Sequence, residues 1–461
     1  MKQNIRRILV SALMAAVFAL QILPATAAEP AAQEKSDLMK FLEQDYLLGT
    51  WGGLRTDLSK RGVDFEFLYI MSNPHNVSGG IKTGDSYQGA MLMLLDLDSQ
   101  KLAGYEGGHL HVAGVSLHGC DHFSDEHIGD FNKVNLVDFP SAWRLWELWY
   151  EQKFWNNKAS LKFGQLAVDQ DFLQAEFYNS LASISFMNQT FFYPTLAFNV
   201  YDIPGFPTGN HALASTPYGA PGVRLRVDAT DRCYAQFGAY DGLPDQKDGA
   251  QVHLDGDEGA LLYFEVGYKL NQRPDDTGLP GNIKLGAFYH TDDFADNTSV
   301  FEAMLSVGPV KYHSGTYGFY GLIDQMLYRE AGKDDPARQG LAGFFRLTGA
   351  PGDRNLTTFG VDGGLVYKGL IPTRDWDSFG IAASYLEMSD DIADGQRAVN
   401  TAAPGTFPAI LDYEAALEIN YKAQMTAWWT LHFAVERTFH PGGSSANPDS
   451  WAFILASTLR F

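Results

Sequence analysis

From Val63 onward, large apolar side chains fall on alternate positions in one segment after another. Phe65, Phe67 and Tyr69 alternate with Asp64, Glu66 and Leu68, and Met93, Leu95 and Leu97 with Leu94, Asp96 and Asp98. Trp146, Leu148, Tyr150 and Phe154 alternate with Glu147, Trp149, Glu151 and Lys153. Val223, Leu225 and Val227 are interleaved with Arg224, Arg226 and Asp228, and Leu262 through Leu270 with Tyr263, Glu265, Gly267 and Lys269. The pattern returns over Phe359–Lys368, Leu417–Lys422 and Trp429–Glu436. A period of two means strands with one greasy face and one polar face. The last stretch puts Trp451, Phe453, Leu455, Leu459 and Phe461 on one parity, and Ala452, Ala456, Thr458 and Arg460 on the other, with Ile454 its one large apolar member. That strand alone fits a secreted sandwich or a membrane barrel whose last strand closes on its first.

The second face separates the two. A sandwich turns its polar face to bulk water, whereas here that face carries charges of both signs together with Trp149 and Tyr263, as a water-filled lumen would. Aromatic residues also gather at strand ends (Tyr46/Trp51, Trp155, Tyr312/Tyr317/Tyr320, Trp428/Trp429), as interfacial girdles do. The expected architecture is all-β: an antiparallel transmembrane β-barrel of about 16 strands, each repeat using about 27 residues. Eighteen strands satisfy the same arithmetic.

The first residues differ. Lys2, Arg6 and Arg7 precede an apolar run from Ile8 to Leu23, and Pro24-Ala25-Thr26-Ala27 supplies small residues for cleavage. Residues 1–27 read as a signal peptide, because the run is shorter than the ~20 residues of a spanning helix. Residues 28–62 lack the alternation. Leu38–Glu43 and Leu54–Arg61 read as short helices of a periplasmic segment, the second ending at Gly62 as its C′ glycine, with the barrel occupying 63–461.

The chain has 461 residues, 46 Gly, 31 Phe, 22 Tyr and a formal charge of −21. The acidic balance disfavours nucleic acid as a partner; it suits a surface facing lipopolysaccharide and its divalent cations, and solubility alone explains it equally well. Cys120 and Cys233 allow one disulfide in an oxidising compartment, although nothing in the sequence brings them together. No cofactor motif and no zinc spacing is present, and the site expectation includes no metal.

Four pieces in order carry a resemblance to the carbohydrate-selective porins of the OprB type. Gly49-Thr-Trp-Gly-Gly-Leu-Arg-Thr56 is similar to the family's opening, and Arg144-Leu-Trp-Glu-Leu-Trp-Tyr-Glu-Gln152 with Leu161-Lys-Phe-Gly-Gln165 to its middle run. Phe186–Phe191 with Pro221-Gly222, then Glu414–Tyr421, Trp428 and His440-Pro-Gly-Gly443, complete the series. Phe433-Ala-Val-Glu436 departs from the family, whose members tend to show a Pro and a Gln there. The resemblance implies a 16-stranded outer-membrane channel passing monosaccharides through a constriction of acidic, basic and aromatic side chains. It places Arg55 in a family motif, where helix packing accounts for it equally well. The expected partners are a monosaccharide, outer-membrane lipid and lipopolysaccharide, the barrel assembly machinery reading the strand that ends at Phe461, and a homotrimer.

A neutral sugar needs donors and acceptors for its hydroxyls and a plate for its C–H face, with binding weak enough to release. Glu147, Trp149 and Glu151 share one parity of one strand, and Arg224 and Arg226 the charged parity of another. These five are the expected pore lining, although charges paired merely to hold the wall would show the same pattern. His109, His111, His118, His122 and His127 crowd with Asp121, Asp125, Glu126 and Asp130. His109 and His111 sit on one face, as a metal pair or as ordinary solvated residues, and the segment from there to Ser141 reads as a loop that narrows the pore. A general or cation-preferring porin is the alternative. A secreted all-β glycoside hydrolase fits less well: Glu147 and Glu151 lie ~13 Å apart on an extended strand, beyond the ~5–9.5 Å that glycosidases use.

Overall fold

The computed structural model describes residues 36–119, 122–176, 184–192, 216–244, 249–250, 252, 259–330 and 339–461. Residues 1–27, where a signal peptide is expected, together with Cys120 and Asp121, lie outside the described residues. Two units result, Met1–Glu43 and Gln44–Phe461. In the first, α1 (Asp37–Leu42) starts on Ser36, whose hydroxyl accepts from the Met39 amide. In the second, a 3₁₀ turn (Trp51–Gly53) leads into α2 (Leu54–Lys60). Its C-cap Arg61 is followed by Gly62 at φ 88°, the left-handed position where a side chain would be strained.

Sixteen strands follow. They are β1 (Val63–Ser78), β2 (Gln88–Asp98), β3 (Gly108–Gly119), β4 (Ala142–Phe154), β5 (Ala159–Leu166), β6 (Ala220–Asp228), β7 (Cys233–Asp241) and β8 (Ala260–Leu270). The second half comprises β9 (Gly281–Ala295), β10 (Tyr312–Arg329), β11 (Gly340–Gly349), β12 (Thr357–Lys368), β13 (Ser378–Met388), β14 (Tyr413–Thr426), β15 (Trp429–Phe439) and β16 (Ser450–Arg460). A two-residue strand, Gly84–Asp85, is added on β1. Each strand pairs antiparallel with its sequence neighbours, and β16 returns to β1 in a register running from Leu68↔Arg460 to Asn76↔Ala452. The sheet therefore closes and leaves no edge, the form in which strands cross lipid with every backbone group paired. The turns 155–158, 229–232 and 427–428 lie at one end, and the described longer connections 122–141, 296–311 and 389–412 at the other. In outer-membrane barrels the short-turn end is periplasmic.

The alternation sorts as expected on most strands. Val223, Leu225, Phe264, Val266, Trp451 and Phe453 are exposed on the outer face, while Arg224, Glu265, Ala452 and Ile454 are buried on the inner one. Three expectations change. Trp146 points inward, because the β3–β4 ladder shifts register between Ala113 and Gly114. Leu145 opposes Gly114 and Glu147 opposes Ala113, so Trp146 is the extra residue of a bulge and packs among Ile70, Leu92, Val115 and Val137. Tyr320 is not in a girdle: it shares the inward parity of Thr316 and is buried, with its hydroxyl donating to Glu265 at 2.8 Å. Tyr263 does face the lumen, but Phe172 covers it at 5.2 Å between ring centroids, so packing surrounds it where water was expected.

Two of the long connections carry helices, α3 (Asn297–Met304) and α4 (Asp390–Ala402). They cross closely at Gly395, where a Cβ would collide with the Phe301 ring. No helix among the described residues is long and apolar enough to cross a membrane.

Candidate channel lining and inward segments

Stretches that leave the long-loop end fold into the barrel: 122–141 after β3, and 167–176 with 184–192 after β5. Both bury apolar side chains there: Phe123, Ile128, Val134 and Leu136 from the first, Phe172, Phe186, Phe191 and Phe192 from the second. An apolar body in a polar tunnel must also satisfy its backbone, and inward side chains of the wall do this. Glu414 accepts from the amides of Phe131, Asn132 and Gly442 at 2.9, 2.7 and 2.8 Å. Four residues on along β14, Glu418 accepts from Met187 and Asn188 at 3.0 and 2.8 Å. Four further on, Lys422 donates to the Ile184 carbonyl at 2.8 Å. Three strands away on β11, Arg346 donates to the Leu173 and Thr190 carbonyls at 3.3 and 2.7 Å while forking onto Asp362 at 2.9 and 2.8 Å. Lys284 reaches the Gln174 carbonyl at 2.8 Å, and Glu265 accepts from the Leu173 amide at 3.3 Å.

The five expected lining residues all stand on the inward parity of β4 and β6. Arg224 and Glu151 meet directly at 2.8 Å. Arg224 also reaches Asp171 at 3.3 Å, and Lys162 of β5 reaches the same carboxylate at 2.8 Å. Burial pushes the Asp171 carboxyl up, but the Lys162 and Arg224 cations outweigh it and hold the group below its ordinary value. Trp149 is half-buried, stacked on His111 at 4.8 Å, with Lys162 Nζ 4.3 Å from its ring centre. Glu147 is buried, 3.8 Å from His111 and 3.4 Å from the Ala167 amide. Arg226 stands apart, paired with Asp228 at 3.1 Å and lying 3.8 Å from the Tyr234 ring centre. Trp149, Glu151 and Arg226 keep partial exposure, whereas Glu147 and Arg224 are built into the wall.

Sequence reasoning missed Lys162 and Asp171, which join this cluster, and the wall residues Glu265, Arg346, Glu414 and Glu418. The wall residues carried a signal in their inward parity; Asp171, in a connection, carried none. Arg55 lies elsewhere, donating to the carbonyls of Phe461 at 2.6 Å and of Phe65.

His109 and His111 do share a face, and both meet the Asp96 carboxylate, at 2.8 and 2.7 Å. His118 stacks on Tyr69 at 5.6 Å, His127 on Phe123 at 4.9 Å, and His122 pairs with Asp125 at 3.1 Å. Among the described residues no group of three metal-ligating side chains converges. Cys233 is exposed at the start of β7, and its proposed partner Cys120 is not described.

Two hollows flank the inward segments. One of about 660 Å³ lies at the long-loop end, lined by Asp125, Asp130, Phe131, Gln396, Phe407 and Pro441 among others. The other, of about 490 Å³, lies toward the short-turn end between β1–β2 and β14–β16.

Residues 82–461 match the family described as carbohydrate-selective porin, OprB family. Porin B of Pseudomonas aeruginosa is 26% identical over 421 residues, 86% of this chain and 87% of that protein. The putative porin QuiX of Acinetobacter baylyi is 24% identical over 446 residues, 91% of this chain and 94% of the relative. Among solved structures, the high-pH structure of Pseudomonas putida OprB is similar with a TM-score of 0.79 at 23% identity, covering 91% of this chain and 99% of the other. Its low-pH structure gives 0.54 at 17% identity over the same shares. These two likenesses concern the fold.

Proposed function

Because the chain belongs to the carbohydrate-selective porin family OprB, we propose that it passes monosaccharides of the glucose type by passive diffusion through the lumen. It is a sugar-selective channel of the bacterial outer membrane and not an enzyme. The observation that carries the finer reading is the cluster on β4–β6, where an indole, carboxylates and guanidiniums sit on neighbouring inward positions beside the inward segment. Glu151 and Arg226 supply an acceptor and donors for hydroxyls, and the partly exposed Trp149 indole an apolar surface for C–H groups. Glu147 and Arg224 hold those groups in place. All five remain weak partners for a passing solute, because each already has a protein partner within reach.

In this reading residues 1–27 are a cleaved signal peptide, 28–62 a periplasmic segment and 63–461 the barrel. N-terminal sequencing of the membrane form, starting at Ala28, tests the cleavage. The exposed outer face contacts lipid and lipopolysaccharide, the strand ending at Phe461 engages the barrel assembly machinery, and the channel forms homotrimers. A monomeric mass in mild detergent counts against the last point.

The sugar assignment is tested by single-channel recording. Glucose should block the current where amino acids do not, and Trp149→Ala should weaken the block without changing heat-modifiable migration on gels. Unchanged block removes Trp149 from the path, and equal block by amino acids returns the protein to the general porins.

A further inference from the structure

The hollow near the short-turn end has a lining that sugar passage does not explain. Its wall on β1 and β2 is aliphatic and faces inward: Leu68, Ile70, Leu92 and Leu94, continued by Leu136 and Met187 of the inward segments. Leu68 and Leu94 keep partial exposure to the channel. A hexose laid against six aliphatic side chains would lose hydration from a rim of hydroxyls with few partners in return, which is unfavourable. Something less polar suits that wall.

The charged lining stands on β1 itself and on the neighbouring strands β14 and β16. Arg460 and Glu66 both line the hollow and cancel each other at 2.6 Å. Lys422 also lines it. Its ammonium has one hydrogen bond, to the Ile184 carbonyl at 2.8 Å, and no carboxylate within ion-pairing distance among the described residues. An ammonium has three N–H donors, so Lys422 keeps donors to spare. Beside it His432 is 6% exposed, and its Nε2 has no hydrogen-bond partner among the described residues. The hollow thus carries, among the described residues, one uncompensated positive charge on the same lining as an apolar wall, in a volume of about 490 Å³.

We propose that this hollow binds small organic carboxylates with an apolar body, the size of an aromatic monoacid, the carboxylate on Lys422 and the ring on the leucine wall. The barrel would then pass a second solute class beside sugars. A charge-assisted hydrogen bond fixes one end and apolar contact the other, and neither half alone holds the solute. The inference rests on the lumen conducting, but not on its selectivity for sugars.

The test uses the full chain in planar bilayers, with benzoate, benzamide, acetate and glucose added in turn on the short-turn side. Benzoate should block the current. Benzamide, the neutral isostere, should need about tenfold more, and so should benzoate on Lys422→Gln. Acetate, which has the charge without the ring, should block far less. Leu94→Asn should weaken benzoate block with Lys422 in place, and glucose block should fall far less than benzoate block in Lys422→Gln. Equal block by benzoate and benzamide on the unmodified protein overturns the proposal whether or not any variant folds. So does acetate matching benzoate, or glucose block falling in step with benzoate block in Lys422→Gln. If benzoate blocks and glucose does not, the sugar reading fails while this one stands.

Discussion

Arg55 closes the seam of the barrel. Its guanidinium lies 3.4 Å from the Tyr46 ring centre and 5.2 Å from that of Trp51, and it donates to backbone carbonyls on both sides of the β16–β1 junction. Arg460 pairs with Glu66 across the same junction at 2.6 Å, and the Leu47 amide donates to the Arg460 carbonyl at 2.8 Å. Arg55→Met keeps the bulk and removes the donors, so it should cost about 3 kcal/mol. The measure is a lower temperature of conversion to the unfolded band on gels, with glucose block unchanged. Asp169 gives a pH signature. It is buried in the inward segment, and burial pushes its carboxyl up to about 6 although Thr216 and Gln170 donate to it at 2.8 and 3.2 Å. The folded state then holds a proton that the unfolded chain releases near pH 4. The contribution is complete below that pH and is lost as pH rises through about 6. Asp169→Asn should flatten stability over that window in urea titrations at successive pH values.

At the scale of elements, the inward segments decide the bore, and the wall holds them by bolts at known positions. Glu414, Glu418 and Lys422 form one row on β14, and Glu265, Lys284 and Arg346 add further bolts from β8, β9 and β11. The double replacement Arg346→Leu with Asp362→Leu removes a buried pair together, so no charge is stranded and stability should change by about 1 kcal/mol or less. It also frees the Leu173 and Thr190 carbonyls. Single-channel conductance should therefore rise and become noisier while the folded band on gels persists. The bulge at Trp146 belongs to this scale too: one unpaired residue brings a tryptophan inside and lets Glu147 and Trp149 keep their inward places.

For the whole molecule, the formal charge of −21 suggests a strong preference for cations. The arrangement of the lumen argues otherwise. Glu265, Glu414, Glu418 and Asp362 spend their lone pairs on amides, hydroxyls or Arg346, and Lys422 is left uncompensated. The reversal potential in a potassium chloride gradient should therefore lie nearer zero than that of a pore lined by free carboxylates.

A period of two, repeated from Val63 to Arg460, was enough to specify a closed antiparallel barrel of about sixteen strands, because lipid outside and a polar interior impose opposite chemistry on neighbouring residues. The same rule placed Glu147, Trp149, Glu151, Arg224 and Arg226 on the inner face. It misplaced Trp146, since a bulge is a pairing defect between two strands and leaves no mark on either strand alone. It put Tyr320 in a girdle, because an aromatic near a strand end is assigned to the interface until its parity is counted. Which of the inward charges remain open to a solute was settled only by residues 122–141, 167–176 and 184–192 coming to rest on the wall. That docking joins residues up to 283 positions apart in the chain, such as the Phe131 amide and Glu414. Local pattern cannot encode such a contact: it exists only when the sheet has closed and the loops have turned inward to bury their phenylalanines.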